Sequence, residues 1–174
     1  MLRSGKMKIN KTVYISVLGR STWALINTYY AVLTERSYYP DLVYIFAEDI
    51  YADQLDKAVK GIEILSEEFG FKPEIRQEIV READFVEAGF KITSLIKDLK
   101  QNGYRVAIDI TPGRKALVAG ALIPISKIGV DHVFYLAIKT LDNASKPYKM
   151  IPLSIQELRD FVEDAKAHRG DASE

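Results

Sequence analysis

The 174-residue chain contains no cysteine and only two histidines, His132 and His168. Without cysteine there is no disulfide bond, no thiolate nucleophile and no cysteine-ligated zinc. With one histidine in a polar tail, neither a Ser-His-Asp triad nor a multi-histidine metal centre is expected. No stretch reaches the roughly 20 apolar residues that span a bilayer, and the first six residues lack the apolar core of a secretory signal. A cytoplasmic protein with no membrane partner is therefore expected.

An excess of charge of either sign is also missing, because 24 Lys and Arg residues balance 24 Asp and Glu residues. A protein that binds long nucleic acids through general electrostatic attraction carries a basic excess, so this class is not expected. A local basic pocket remains compatible with the balance. The length and the 48% content of hydrophobic residues fit one domain with a substantial core.

Runs rich in β-branched and aromatic residues alternate with segments of helical period. Strands are predicted at Thr12–Leu18, Leu42–Ala47, Glu74–Val80, Tyr104–Ile110, His132–Ile138 and, as a short sixth strand, Tyr148–Leu153. The intervening segments predict helices, and this alternation favours a single α/β domain. We expect a Rossmann-like, doubly wound, mainly parallel sheet of order 3-2-1-4-5, with helices on both faces and the late strand at the edge.

The remaining organisation follows from local patterns. Residues 1–9 form an extension before a domain at 10–153, and Ser154 with Glu157 reads as a capping box that opens a helix at 154–167. Residues 168–174 are expected to form a flexible tail. The helix after Arg114 is apolar all round (ALVAGALIPI), which predicts burial on more than one side, including a subunit interface.

In the expected strand order, the chain reverses direction between the first and fourth strands, where such sheets bind ligands. The segment after the first strand, Gly19 to Trp23 (GRSTW), lacks the glycine patterns of dinucleotide and Walker loops. It offers Gly19 for a tight turn, Arg20 as a cation, and the hydroxyl groups of Ser21 and Thr22. Ser21 is alternatively a simple helix N-cap, and Trp23 is either a core residue or a platform for base stacking.

The segment after the fourth strand, Asp109 to Lys115 (DITPGRK), carries the stronger signal. Gly113 permits close backbone approach, and Arg114 with Lys115 places two cations at a helix N-terminus, where the helix dipole disfavours them. A bound anion, most simply a phosphate, resolves this conflict. The alternative is that both side chains point into solvent. Weaker candidates are the acidic residues Glu48, Asp49 and Asp53. They either bind a ribose hydroxyl or a metal, or form a solvated helix start. His132, at the start of a strand, is expected to be structural.

Together, the LGRST turn and the D-x-T-x-G-x-K loop resemble the CRISPR-associated Rossmann-fold (CARF) domain over about residues 10–153. The sequence has Pro112-Gly113-Arg114 where many members carry Gly-Gly-Thr, and its Arg-Lys pair is similar to the short archaeal members called ring nucleases. The resemblance implies a homodimer that binds cyclic tetra-adenylate. It also implies cleavage, without metal or other cofactor, to linear di-adenylate with a 2′,3′-cyclic phosphate, which switches off antiviral signalling.

The resemblance also assigns residues. The implied catalytic positions are Lys115, Ser21 (alternatively Ser16) and Arg114. The ligand-binding positions predicted from the two segments are Ser16, Gly19, Arg20, Thr22, Trp23, Asp109, Thr111 and Gly113. Two alternatives stay open: a non-catalytic sensor of the same ring, or a small nucleotide- or phosphosugar-binding α/β enzyme. Because only about twenty residues follow Leu153, no second output module is expected, which favours degradation over sensing.

Overall fold

The computed structural model describes residues 11–170 as one six-stranded sheet with helices on both faces. The strands are β1 (Thr12–Leu18), β2 (Leu42–Glu48), β3 (Glu74–Val80), β4 (Arg105–Asp109), β5 (His132–Ile138) and β6 (Gln156–Asp160). The helices are α1 (Thr22–Arg36), α2 (Leu55–Glu68), α3 (Phe85–Gln101), α4 (Lys115–Ile128) and α5 (Phe161–Gly170). None of the helices in this range is long and apolar enough to cross a membrane.

The sheet has the order β3-β2-β1-β4-β5-β6, and its first five strands are parallel. Strand β6 pairs antiparallel with β5 at the edge. The α/β class and the predicted order of the first five strands are therefore confirmed. Since β1 and β4 are neighbours with Ser16 opposite Asp109, the two loops that follow them emerge side by side at the carboxyl edge of the sheet.

Alternation along β1 separates two cores. Tyr14 and Leu18 face a core with helices α1 and α2, whereas Val13, Ile15 and Val17 face a second core with α3 and α4. All five of these side chains are fully buried. Because both faces of β1 are buried, its sequence is a nearly continuous apolar run rather than an alternation of apolar and polar residues.

Helices α3 and α4 pack closely because each carries a glycine at the contact. A Cβ atom on Gly89 would lie 2.2 Å from the carbonyl oxygen of Gly120, and one on Gly120 would lie 2.6 Å from that of Phe85. Helix α4 buries only one stripe, which contains Leu117, Ala121 and Ile125. Its opposite side is open, and Ile123 is 70% exposed. The expected burial of α4 on more than one side is thus not met within a single chain.

The prediction for the C-terminal region was wrong. Residues Tyr148–Met150 and Leu153–Ile155 form short 3-10 turns, and the sixth strand begins at Gln156. Helix α5 begins at Phe161, so Ser154 and Glu157 do not form a capping box and the helix expected at 154–167 is displaced. Residues 168–170, expected in the tail, continue α5. The extension at 1–9 and residues 171–174 lie outside the described range.

Candidate functional site at the carboxyl edge of the sheet

The two loops singled out by the sequence are in direct contact. A Cβ atom on Gly19 would lie 2.2 Å from the carbonyl oxygen of Pro112 and 3.6 Å from the backbone nitrogen of Arg114. Gly19 does not have a positive φ, so its role is to permit this approach rather than to form a tight turn. Gly113 also has an ordinary φ, and its added Cβ would meet the side chain of Val118 at 2.7 Å.

Asp109 organises the floor beneath these loops. Its side chain is fully buried at the end of β4, where it accepts hydrogen bonds from the Ser16 hydroxyl (3.0 Å) and the backbone N–H of Thr111 (2.9 Å). Burial raises the pKa of Asp109 to about 6, and the hydrogen bonds from Thr111 and Ser16, together with the nearby Tyr14 hydroxyl, oppose the rise. The Tyr14 hydroxyl lies near the same carboxyl group without the geometry of a regular hydrogen bond.

This environment predicts a pH-dependent stability. Because the folded-state pKa is above the ordinary value of 3.8, the protonated carboxyl group stabilises the fold fully below about pH 4. That contribution is lost as pH rises through about 6. The free energy of unfolding is expected to fall by about 3 kcal/mol over this pH range. In chemical denaturation between pH 4 and 7, Asp109→Asn is expected to remove this component of the pH dependence. If the free energy of unfolding of Asp109→Asn falls with pH as steeply as that of the wild type, the role assigned to Asp109 is contradicted.

Ser21 caps the N-terminus of α1. Its Oγ accepts a hydrogen bond from the backbone N–H of Ala24 at 3.2 Å, as the simpler of the two interpretations predicted. The hydroxyl hydrogen is still available to a ligand, since a hydroxyl donates as well as accepts. The neighbouring Thr22 is buried and donates to Oε1 of Gln54 at 2.9 Å.

Two cations at this edge have no partner among residues 11–170. Lys115 and Arg20 are exposed, and neither makes an ion pair or a hydrogen bond with any other residue of the described range. No side chain caps α4 at Arg114, so the first backbone N–H groups of this helix lack a side-chain acceptor. Free N–H groups, a helix dipole and a free lysine together form a site for an anion.

Arg114 is held by acidic side chains. Its Nη1 donates to both carboxylate oxygens of Glu48, at 3.2 and 3.4 Å, and lies 3.6 Å from Oε1 of Glu82. The Glu48 side chain is only 1% exposed and also accepts from the backbone N–H of Ala83. Glu48 is therefore a partner of Arg114 rather than part of a solvated helix start. Of the two predicted cations, Lys115 carries the uncompensated charge.

The structure thus brings together most of the residues predicted from the sequence, but not all of them are accessible. Gly19, Arg20, Ser21, Gly113 and Lys115 lie in or beside the contacting loops. Four others are engaged within the fold: Ser16 and Asp109 are fully buried, Thr22 donates to Gln54, and the Thr111 hydroxyl accepts from the backbone N–H of Leu136 at 2.9 Å. Trp23 is half-buried on the first turn of α1.

His132 is part of a network at the opposite edge of the sheet, where β5 begins. Its Nε2 lies 3.1 Å from Arg105, which can only donate, so Nδ1 carries the hydrogen and donates to Asp160 at 2.7 Å. With Glu163, these two side chains are the group of metal-type ligands found in the described part of the chain. Asp160 also accepts from the backbone N–H groups of Val133 and Val162, so the network ties α5 to the sheet.

Solved structures share the fold of this chain at low sequence identity. No protein-family model and no curated protein sequence matches the chain. Among solved structures, Enterococcus italicus Csm6 bound to cyclic hexa-2′-fluoro-hexa-dAMP matches with a TM-score of 0.61 and 13% identity, over 90% of this chain and 44% of that protein. Can2 from Sulfobacillus thermosulfidooxidans in complex with cyclic tetra-adenylate matches with a TM-score of 0.53 and 12% identity, over 71% of this chain and 31% of that one.

A third match is a type III CRISPR defence DNA nuclease activated by cyclic oligoadenylate, with a TM-score of 0.56 and 15% identity. It covers 74% of this chain and 19% of the nuclease. This chain therefore spans less than half the length of each of these three proteins. At such identities the likeness concerns architecture alone, so the chain shares its fold with part of proteins that bind, or are activated by, cyclic oligoadenylates.

Proposed function

We propose that this protein is a ring nuclease that binds cyclic tetra-adenylate at a homodimer interface and cleaves it to linear di-adenylate without a metal ion. In doing so it switches off type III CRISPR signalling. The observation that carries the proposal is Lys115, which has no partner among residues 11–170 and begins α4 without a side-chain cap. Its loop contacts Gly19, the residue before Arg20 and Ser21. The two loops follow the neighbouring strands β1 and β4, and this position supports the same assignment, as do the ligands of the structural neighbours.

The proposed cleavage reaction does not require a strong base at the site. The 2′-hydroxyl of the substrate attacks the adjacent phosphorus, the P–O5′ bond breaks, and the proton of the 2′-hydroxyl ends on the departing 5′-oxygen. Two such cuts convert the four-membered ring into two di-adenylates with 2′,3′-cyclic phosphates, and no water is consumed. Since the substrate supplies the nucleophile, alignment and charge stabilisation carry the step.

Each group then has a defined task. Lys115 stabilises the charge that develops on the phosphoryl oxygens, and the Ser21 hydroxyl donates to a phosphate or orients the 2′-hydroxyl. Arg114, positioned by Glu48, directs its remaining N–H groups toward the same phosphate. Without a general acid or base, about 10²- to 10⁴-fold in rate is forgone, so turnover is expected to be slow.

A cyclic oligonucleotide with two-fold symmetry can make the same contacts with both subunits of a symmetric dimer. In an isologous dimer each subunit presents the same loops to equivalent phosphates. Helix α4 begins at Lys115 and leaves Ile123 and Ala119 exposed, and the nearby Val86 and Phe90 of α3 are 81% and 74% exposed. This apolar face is the one we assign to the dimer contact.

The direct test is incubation with cyclic tetra-adenylate in EDTA, with products identified by mass. Linear di-adenylate with a cyclic phosphate supports the proposal, and the matched ring of 2′-deoxyadenosines, which lacks the nucleophile, should stay intact. If cyclic tetra-adenylate binds tightly but stays intact, the proposed cleavage is contradicted. That result would favour the second candidate, a non-catalytic sensor, which is supported by the use of Ser21 as a helix cap. Equal thermal stabilisation by mononucleotides or sugar phosphates would favour the phosphosugar enzyme.

Ser21 allows its two roles to be separated. Ser21→Ala is expected to lower the free energy of unfolding by about 1 kcal/mol through loss of the cap, and to slow cleavage. Ser21→Asn keeps a capping acceptor but removes the hydroxyl group. If that hydroxyl contacts a phosphate, this variant should retain stability and lose about 10-fold in rate. Wild-type cleavage by Ser21→Asn would leave Ser21 as a cap only.

A further inference from the structure

A small aromatic pocket lies beside α1, on the side of α2. Its volume is about 250 Å³, and its walls include Trp23, Tyr30, Leu65 and Tyr148. The rings of Tyr30 and Tyr148 lie 5.0 Å apart, and Nζ of Lys149 lies 5.5 Å from the centre of the Tyr30 ring. Pockets for drug-sized ligands span about 300–1,000 Å³, so this one suits a single flat ring system rather than a whole nucleotide.

The pocket wall also holds an unused hydrogen-bond acceptor. Asn27 is 1% exposed, and its Nδ2 donates to the carbonyl oxygen of Lys146 at 2.8 Å. Because a carbonyl oxygen only accepts, this contact fixes which end of the amide is nitrogen. The other end, Oδ1, is buried and has no partner within the described chain. A buried unpaired acceptor is costly, and a ligand with an N–H group removes that cost after local movement of the wall.

The pocket lies close to the loops that follow β1 and β4. Trp23 lies two residues after Ser21 on the first turn of α1, and Tyr30 follows two turns further along the same side. A nucleotide whose phosphate lies at Ser21 and Lys115 therefore has its base within reach of Trp23. The pocket extends away from the loops, as a base extends away from its phosphate.

We propose that this pocket binds one adenine base of the ring, stacked on Trp23 and Tyr30, with its exocyclic amino group donating to Oδ1 of Asn27; this assignment rests on the proposed function. Adenine carries an N–H donor at its 6-position, whereas guanine and hypoxanthine carry a carbonyl oxygen there. A carbonyl oxygen facing Oδ1 leaves two acceptors opposed. The pocket therefore selects adenine among purines, and stacking on the aromatic side chains supplies affinity.

The test compares two rings with identical backbones, cyclic tetra-deoxyadenylate and cyclic tetra-deoxyinosinate, neither of which is cleaved. Wild-type protein is expected to bind the adenine ring about tenfold or more tightly than the hypoxanthine ring. Since Trp23 is the only tryptophan in the chain, the adenine ring should also quench its fluorescence. Trp23→Leu should weaken binding of the adenine ring about tenfold, and Asn27→Leu should abolish the preference between rings.

Tyr39→Leu serves as the matched control, because Tyr39 is an exposed aromatic residue that packs on Phe69 and Phe71 outside the pocket; it should bind like the wild type. Equal affinity of the wild type for both rings, or undiminished binding by Trp23→Leu, would overturn the base pocket while leaving the proposed function intact. Failure of the wild type to bind either ring would overturn both. The ring comparison and Trp23→Leu require no core substitution, so they decide the matter even if Asn27→Leu does not fold.

Discussion

Replacing Lys115 by alanine is expected to slow ring cleavage by about 10²- to 10³-fold, the usual cost of removing one group that stabilises transition-state charge. The same substitution should not weaken the fold. Within the described residues the Lys115 side chain makes no hydrogen bond or ion pair, and it places a positive charge at the N-terminus of α4. Its removal is therefore expected to raise the free energy of unfolding by about 0.3–1 kcal/mol. A more stable and less active variant is characteristic of a residue retained for function.

Lys127 provides the matched control, because it is an exposed lysine in the last turn of the same helix. There it complements the helix dipole, so Lys127→Ala should cost a little stability and, at concentrations where the dimer is formed, leave cleavage unchanged. Lys115→Arg keeps the charge and should retain part of the activity. Single-turnover rates and denaturation curves for the three variants give both readouts. Cleavage by Lys115→Ala at the wild-type rate would remove Lys115 from the mechanism.

Gly19→Ala is expected to abolish ring binding and to destabilise the protein by about 1–3 kcal/mol. The added methyl group would lie 2.2 Å from the carbonyl oxygen of Pro112. Because that atom belongs to the backbone, it cannot rotate away, and the two loops must separate. Separation moves Arg20 and Ser21 away from Lys115, so the anion site is lost together with the packing.

Gly113→Ala tests the same loop with a milder perturbation. Its added methyl group meets a side-chain methyl of Val118 at 2.7 Å, which a change of rotamer relieves. Its thermal stability and ring affinity should fall less than those of Gly19→Ala. If Gly19→Ala keeps wild-type stability and affinity, the contact between the loops is not what assembles the site.

The sheet could be predicted because buried parallel strands carry their signal locally. Residues 12–18 and 132–138 are predicted with the bounds that the structure shows, since each is a run rich in apolar and β-branched residues. Residues 74–80 are also predicted with the observed bounds, although EIRQEIV is mostly polar and only Val80 is buried. The C-terminal region was mispredicted because a four-residue capping pattern outweighed the alternation in QELRD. There Gln156, Leu158 and Asp160 are buried and the residues between them are exposed, which is the period of a strand.

The location of the site could also be predicted, but the availability of its side chains could not. The reversal of direction between β1 and β4 identifies both loops from strand order alone. Which cation is free depends on a contact between Arg114 and Glu48, 66 positions apart. Whether a hydroxyl is accessible depends on the pairing of Ser16 with Asp109 across two neighbouring strands. Only the folded chain brings such partners together.

In the proposed complex, Lys115 of each subunit holds a phosphate of the cyclic oligoadenylate across a two-fold axis. A crystal structure with the uncleavable ring of 2′-deoxyadenosines tests this claim most directly. We expect one ring per dimer, with a phosphate within hydrogen-bond distance of Lys115 in both subunits and the open side of α4 in the dimer contact. A ring bound away from Lys115, or bound to a single subunit, would contradict the claim.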